Sequence, residues 1–270
     1  MRPEHIFAPT TMKPVALQLW TIREALATDP RAALARVRAA GFDAVELAPL
    51  PESLTADALA ELLRAESLAM RSLHAELPLG NARQRVLELV ERFQCRRLIW
   101  HGWPRDPRHD CPAGLRSLLE DYQRAAEWAR REGLEFGLHN HWWEFEVTDG
   151  VTLLERLIRE LPAEVFVQLD VYWTQVAGQD PLAWVERLGP RLRSLHLKDG
   201  PAQHGLPMTP LGSGVVDIRS LVARTVVPAG GVSPAAQNPS VDWVIELDEC
   251  AGDALDAAHE SLGYLRSVGF

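Results

Sequence analysis

Imidazole and carboxylate side chains recur where apolar runs of this 270-residue chain end. In the segment LEFGLHNHWWEFE, His139 and His141 follow such a run and Glu144 comes after two tryptophans. The other titratable groups near run ends are Glu46, His74, His101, Asp170, His196, Lys198, Glu246 and Asp248. Mixed ligation of this kind suits Mn²⁺, Zn²⁺, Co²⁺ or Fe²⁺ better than Ca²⁺, and Mg²⁺ is a further candidate. The pattern therefore predicts a divalent metal site with groups for acid–base chemistry.

Side-chain alternation along a strand predicts which of these groups point the same way. His196 and Lys198 point to one face of their strand, and Glu246 and Asp248 point to one face of theirs. The leucine and isoleucine residues that alternate with them face outward. His139 and His141 share a face if their strand continues that far. Without a metal, the buried acids must pair with Lys198 or be partly protonated.

The elements that carry these groups alternate between short apolar runs and helical segments. The predicted strands are 15–20, 44–48, 70–75, 96–101, 134–139, 165–170, 192–198 and 243–248. Strands that alternate with helices of this length predict right-handed βαβ units and a parallel sheet. Eight units in one chain predict an α/β protein with a closed (β/α)₈ barrel, whose active site lies at the C-terminal strand ends. A doubly wound open sheet is the alternative, but its glycine-rich fingerprint does not follow the first strand.

Several helix boundaries are visible in the sequence. Thr55 is a predicted N-cap, and Gly41 and Gly133 are predicted stops. We interpret residues 1–13 as an N-terminal extension, residues 14–270 as a single barrel domain, and the segment 226–243, rich in proline, glycine and serine, as a long loop.

Composition limits the function. The net charge of −9 argues against a general nucleic-acid binder, and no apolar stretch has the length of a membrane span. The three cysteines are far apart and form no CxxC pair, which fits a reducing compartment, so we expect a cytoplasmic protein. We expect no nucleic-acid or membrane partner, and a homo-oligomer stays an open alternative.

Eight pieces of sequence occur in a characteristic order. They are LQLWTIREAL (17–26), GFDAVEL (41–47), SLHAE (72–76), HNHWWEF (139–145), LDVYWTQVAGQDP (169–181), LHLKDG (195–200), PLGSGVVD (210–217) and IELDE (245–249). With them the chain resembles the xylose isomerase-like TIM-barrel superfamily of sugar isomerases and epimerases, which also includes inosose dehydratase-like members. The resemblance implies metal ligands at Asp170, His196 and Glu246. The fourth ligand, a glutamate in many relatives, falls on His139, with His141 and Glu144 as alternatives.

The resemblance also implies a reaction. It predicts a metal-dependent isomerase or epimerase of a small keto-sugar, which removes a proton next to a carbonyl and forms a metal-stabilised enediolate. Because a histidine stands in place of one glutamate base, a lyase or dehydratase acting on a keto-polyol or keto-glycoside is the alternative. A DNA-repair endonuclease and a non-catalytic sugar-binding protein are less favoured. The predicted catalytic residues are Glu246, Glu144, Lys198 and His74. The predicted substrate-binding residues are Glu46, His101, His141, Trp20 and Trp173.

Overall fold

Eight parallel strands form a closed barrel in a computed structural model that describes residues 15–148, 150–225 and 241–268. The barrel strands are β1 (Val15–Gln18), β2 (Ala44–Leu47), β3 (Ala69–Ala75), β4 (Arg97–Trp100), β5 (Glu135–His139), β6 (Phe166–Asp170), β7 (Leu192–Leu197) and β8 (Asp242–Ile245). Each strand pairs with its neighbours in the chain, and β8 closes the barrel on β1. The predicted α/β barrel is therefore confirmed, and the open doubly wound sheet is excluded.

Ten α-helices of the described residues surround the strands. They are α1 (Arg23–Thr28), α2 (Pro30–Ala39), α3 (Ala56–Ala65), α4 (Ala82–Phe93), α5 (Pro112–Arg131), α6 (Leu153–Glu160), α7 (Val171–Val176), α8 (Pro181–Leu188), α9 (Ile218–Thr225) and α10 (Ala254–Ser267). Short 3₁₀ turns occupy Leu19–Ile22, Pro107–Asp110, Trp143–Phe145 and Gly189–Arg191, and a small hairpin joins Val147–Thr148 to Val151–Thr152. None of the described helices is long and apolar enough to cross a membrane.

The local signals explain where these helices begin and end. The Thr55 hydroxyl accepts a hydrogen bond from the backbone N–H of Ala58, as predicted for an N-cap. Gly41 and Gly133 follow their helices with positive φ angles of 98° and 66°, which favour glycine. Residues 1–13 and most of the predicted loop 226–243 lie outside the described residues.

The barrel interior contains a polar layer. Leu195, Leu197 and Ile245 are buried in the hydrophobic core, as expected from their outward-facing positions on the strands. The intervening side chains instead contact one another across the barrel, and a hydrogen bond joins Glu46 on β2 to Gln168 on β6, although these strands are not neighbours. We call this polar layer the floor of the site.

Candidate active site

Glu46 lies at the centre of the polar floor and is fully buried. Its carboxylate accepts hydrogen bonds from Gln18 Nε2 at 2.7 Å and from Gln168 Nε2 at 2.7 Å, and its Oε1 lies 2.5 Å from His196 Nε2. Burial opposes the charge, but the imidazoles of His74 and His196 outweigh it and lower the pKa of Glu46 to about 2. Glu46 therefore lies in the floor, where its carboxylate can hold His196. Its contact with a substrate stays a prediction.

Gln168 orients two of the histidines, and the sequence pattern did not identify it as a site residue. Its Oε1 lies 2.6 Å from His74 Nε2 and 3.1 Å from His139 Nδ1, while its amide nitrogen donates to Glu46. If both imidazoles donate to this oxygen, Nε2 of His139 is left with a free lone pair. The signal for Gln168 was its alternation with Asp170, because both occupy the same face of the run VFVQLD.

Three ligand-type side chains converge above this floor. One atom each of Asp170, His196 and Glu246 lies within 4.8 Å of the other two. His196 Nδ1 is 2.7 Å from Glu246 Oε2 and 4.0 Å from Asp170 Oδ2. Both His196 Nδ1 and Asp170 Oδ2 are buried, and neither makes a hydrogen bond of normal geometry. Both atoms have a charged neighbour, since Asp170 Oδ2 lies 2.9 Å from Lys198 Nζ and His196 Nδ1 lies 2.7 Å from Glu246 Oε2. It is the donor set, two carboxylates and an imidazole within reach of one point, that fits a divalent cation.

Lys198 provides positive charge beside the same group. Its buried ammonium lies 2.9 Å from Asp170 Oδ2, 2.7 Å from Glu246 Oε2 and 2.7 Å from Asp248 Oδ2. Burial lowers the pKa of Lys198, but the three carboxylates outweigh it and raise the pKa well above its usual value. Three carboxylates around one ammonium leave an excess of negative charge that a divalent ion can neutralise.

His139 is the best placed of the three candidates for a fourth ligand. Its Nε2 lies 3.9 Å from Asp170 Oδ2, and it also forms a compact group with His74 and His196. His141 instead stacks on Trp143, with 4.2 Å between ring centroids. Neither His141 nor Glu144 belongs to the two groups of ligand-type atoms in the described part of the chain.

Glu144 is a buried acid behind the pocket wall. Its Oε2 accepts a hydrogen bond of 2.7 Å from the backbone N–H of His141. Burial raises the pKa of Glu144 to about 8, so the carboxyl group is largely protonated at neutral pH. Its position favours a role in fixing the His141 loop, and direct contact with a ligand requires movement of this segment.

A cavity of about 350 Å³ opens above the three ligand-type residues. The predicted residues His74, His101, His141, Trp20 and Trp173 line it, together with Glu246 and Asp248. Burial and the nearby His74 lower the pKa of His101 to about 4, so this imidazole is neutral. Sequence reasoning missed Trp103 and His204 in the wall, because both lie on loops rather than at strand ends.

The family of this fold is identified by its sequence as well as its shape. The family described as xylose isomerase-like TIM barrel matches residues 34–224. The chain belongs to this family. A search of curated proteins found no match.

Three solved structures share the fold of this chain. A sugar phosphate isomerase/epimerase from Parabacteroides distasonis ATCC 8503 is 19% identical, with 97% of this chain and 96% of that chain covered and a TM-score of 0.76. A D-allulose 3-epimerase from Methylomonas sp., in complex with D-allulose, is 16% identical with coverages of 94% and 96% and a TM-score of 0.65. A probable 3-DHS dehydratase from Bacillus anthracis is 15% identical with coverages of 94% and 99% and a TM-score of 0.65. At these identities the likeness shows the fold.

Asp199 shapes one edge of the pocket in this xylose isomerase-like barrel. Its buried carboxylate accepts hydrogen bonds from four backbone N–H groups, those of Gly200, Gly212, Gly214 and Val216. A Cβ at Gly214 would come within 2.1 Å of Asp199 Oδ1, so this close approach requires glycine. The carboxylate thus closes a loop that carries cavity-lining residues, a role that the sequence did not reveal.

Proposed function

We propose that the protein is a metal-dependent isomerase or epimerase of a small keto-sugar. The observation that carries this proposal is the convergence of Asp170, His196 and Glu246, each with one ligand-type atom within 4.8 Å of the other two, at the bottom of a cavity. A divalent ion held there by Asp170, His196, Glu246 and His139 would polarise a substrate carbonyl.

Glu246 is the proposed base. It lines the cavity, whereas Asp170 is fully buried, and Lys198 and His196 outweigh burial and hold the pKa of the Glu246 carboxyl far below its usual range. It is therefore ionised and placed to accept a proton from the carbon next to a carbonyl. Lys198 orients this base and offsets its charge, since its ammonium lies 2.7 Å from Glu246 Oε2.

The second proton carrier must come from the other wall. The acids that line the cavity, Glu246, Asp248 and Glu249, all follow β8, whereas the opposite wall presents His74, His101, His139 and His141. In a two-base exchange, an imidazole such as His74 would return the proton to the opposite face. A distribution with carboxylates on one wall alone also supports the second candidate, a lyase of the inosose dehydratase type, because elimination needs one base and one acid.

Turnover in D₂O separates the two reactions. Keto-sugars and inososes are incubated with purified protein in D₂O and followed by proton and deuterium NMR. Deuterium at the carbon next to the carbonyl, with all oxygens retained, supports the isomerase, whereas loss of water or an alcohol supports the lyase. If neither occurs with any of these compounds, both proposals are refuted.

Metal analysis tests the ligand set independently of turnover. We expect purified protein to contain a divalent ion and His139→Ala to lower its occupancy. An unchanged metal occupancy in His139→Ala would mean that the fourth ligand is His141 or Glu144. The matched control is His259→Ala, because His259 lies on α10 and contacts a backbone carbonyl far from the cavity.

A further inference from the structure

The mouth of the cavity presents exposed apolar side chains above the polar floor. Of the five large apolar side chains that are exposed in the described residues, three line this cavity: Trp20 at 36%, Trp103 at 54% and Leu206 at 45% exposure. Exposed apolar groups that cluster at one place mark a binding surface, whereas isolated ones need no explanation. The mouth is therefore built to receive an apolar face of a ligand.

Further rings extend this surface around the mouth. Trp142 contacts Trp173 with 4.7 Å between ring centroids, and it contacts His204 at 4.4 Å. The ring centroid of Trp103 lies 6.5 Å from that of Trp142. Because the rings hold one another in place, the wall presents flat faces with little freedom to lose on binding.

The charges around the cavity are unsuited to a phosphate group. Arg23 is the one arginine or lysine among the described lining residues, and it already donates to the backbone oxygens of Trp20 and Asp248. Lys198, beside the ligand-type residues, is surrounded by three carboxylates. Glu249 adds negative charge to the wall, which would repel a phosphate dianion.

An adjoining cavity of about 650 Å³ leads to the same conclusion. It shares His74 and His101 with the first cavity and contains two arginines. Arg85 donates to Glu76 at 2.7 Å, and Arg92 forms an ion pair with Asp57 at 2.5 Å. Each arginine has a carboxylate beside it, which offsets part of the positive charge that a phosphate would meet.

We propose that the substrate is an uncharged keto-sugar that carries a second ring, glycosyl or aromatic, which stacks on the tryptophans at the cavity mouth. The inference rests on the proposed function, because it names the substrate of the same site. The polar ring then reaches the floor and the second ring stays at the mouth, so that a sugar phosphate is a poor ligand.

Equilibrium binding tests this proposal without turnover. Isothermal titration calorimetry on the full chain compares phenyl β-D-glucopyranoside, cellobiose, methyl β-D-glucopyranoside and glucose 6-phosphate. Ring stacking predicts that the phenyl glucoside, cellobiose or both bind about three- to tenfold more tightly than the methyl glucoside. Glucose 6-phosphate is expected to bind most weakly. The phenyl and cellobiose arms distinguish an aromatic second ring from a glycosyl one.

Two variants and a control locate the effect. Trp103→Ala and Trp20→Ala should reduce the advantage of the two-ring ligands, because both side chains are exposed at the mouth. Trp128→Ala should leave it unchanged, because Trp128 lies on α5 and contacts Arg83. The proposal is refuted if glucose 6-phosphate binds more tightly than the methyl glucoside, if neither two-ring ligand has an advantage, or if Trp103→Ala and Trp128→Ala behave alike. Failure of the reaction in D₂O would leave this binding order intact, so the two proposals fail separately.

Discussion

Glu46→Gln is the substitution that tests most directly how the floor controls the proposed metal site. The Glu46 carboxylate lies 2.5 Å from His196 Nε2 and keeps this nitrogen as the donor, so that Nδ1 faces Asp170 and Glu246. A neutral amide removes the negative charge that makes the imidazole a stronger ligand. Loss of such a supporting contact typically lowers metal affinity by about 10- to 100-fold, which corresponds to about 1.4–2.7 kcal/mol.

The same substitution should also destabilise the metal-free protein. Oε1 of Glu46 accepts from Gln18 and lies next to His196, and Oε2 accepts from Ser72 and Gln168. An amide has one oxygen, so its NH₂ group must face one of these two pairs of partners. We expect the free energy of unfolding to fall by about 2–4 kcal/mol, from lost hydrogen bonds and buried donors that face each other.

Two measurements separate these effects. Competition with a chromogenic chelator gives the metal affinity of the folded protein, and urea denaturation after chelation gives stability. Ser72→Ala is the matched control, because it removes one donor to Glu46 and leaves the contact with His196 in place. Its metal affinity should stay near that of the wild type. A folded Glu46→Gln protein with wild-type affinity would refute the role assigned to this carboxylate.

Three further substitutions test other parts of the site. Glu246→Gln should lower turnover by about 10²–10⁴-fold, as measured by steady-state kinetics, because the base is lost; turnover near the wild-type rate would exclude Glu246 as the base. Burial raises the pKa of Glu144 from 4.5 to about 8, so the folded state binds one more proton than the unfolded state between these pH values. After metal removal with a chelator, the free energy of unfolding should therefore fall as pH rises across this interval. Glu144→Gln should flatten that decline in urea titrations, and an identical decline in both proteins would contradict the assignment. Asp199→Asn should reduce the free energy of unfolding by about 2–4 kcal/mol and speed proteolysis between residues 200 and 216, because four backbone N–H groups donate to that carboxylate. Unchanged stability and cleavage would show that these contacts are dispensable.

The sequence predicted the strands well because each is a short apolar run bounded by helix signals. The polar interior was harder to predict. In the sequence Gln168 and Glu46 are isolated polar residues within strands, and only closure of the barrel brings them into contact. The role of Asp199 depends on backbone groups 13 to 17 residues further along the chain, which local periodicity does not report. Strand β5 ends at His139, and a 3₁₀ turn follows at Trp143–Phe145. His139 and His141 therefore do not share one face of a strand.

The proposed ligand set, with His139 as the fourth ligand, has a consequence for charge. Two carboxylates, Asp170 and Glu246, and two imidazoles, His139 and His196, provide two negative charges when both imidazoles are neutral, which matches a divalent ion. A third carboxylate in the place of His139 would add a negative charge beside Asp170 and Glu246, and a more negative ligand set makes the bound ion a weaker electrophile. The acids that line the cavity all follow β8, and the opposite wall presents imidazoles. In the proposed isomerase the proton therefore returns from an imidazole, whereas the alternative lyase needs no second base.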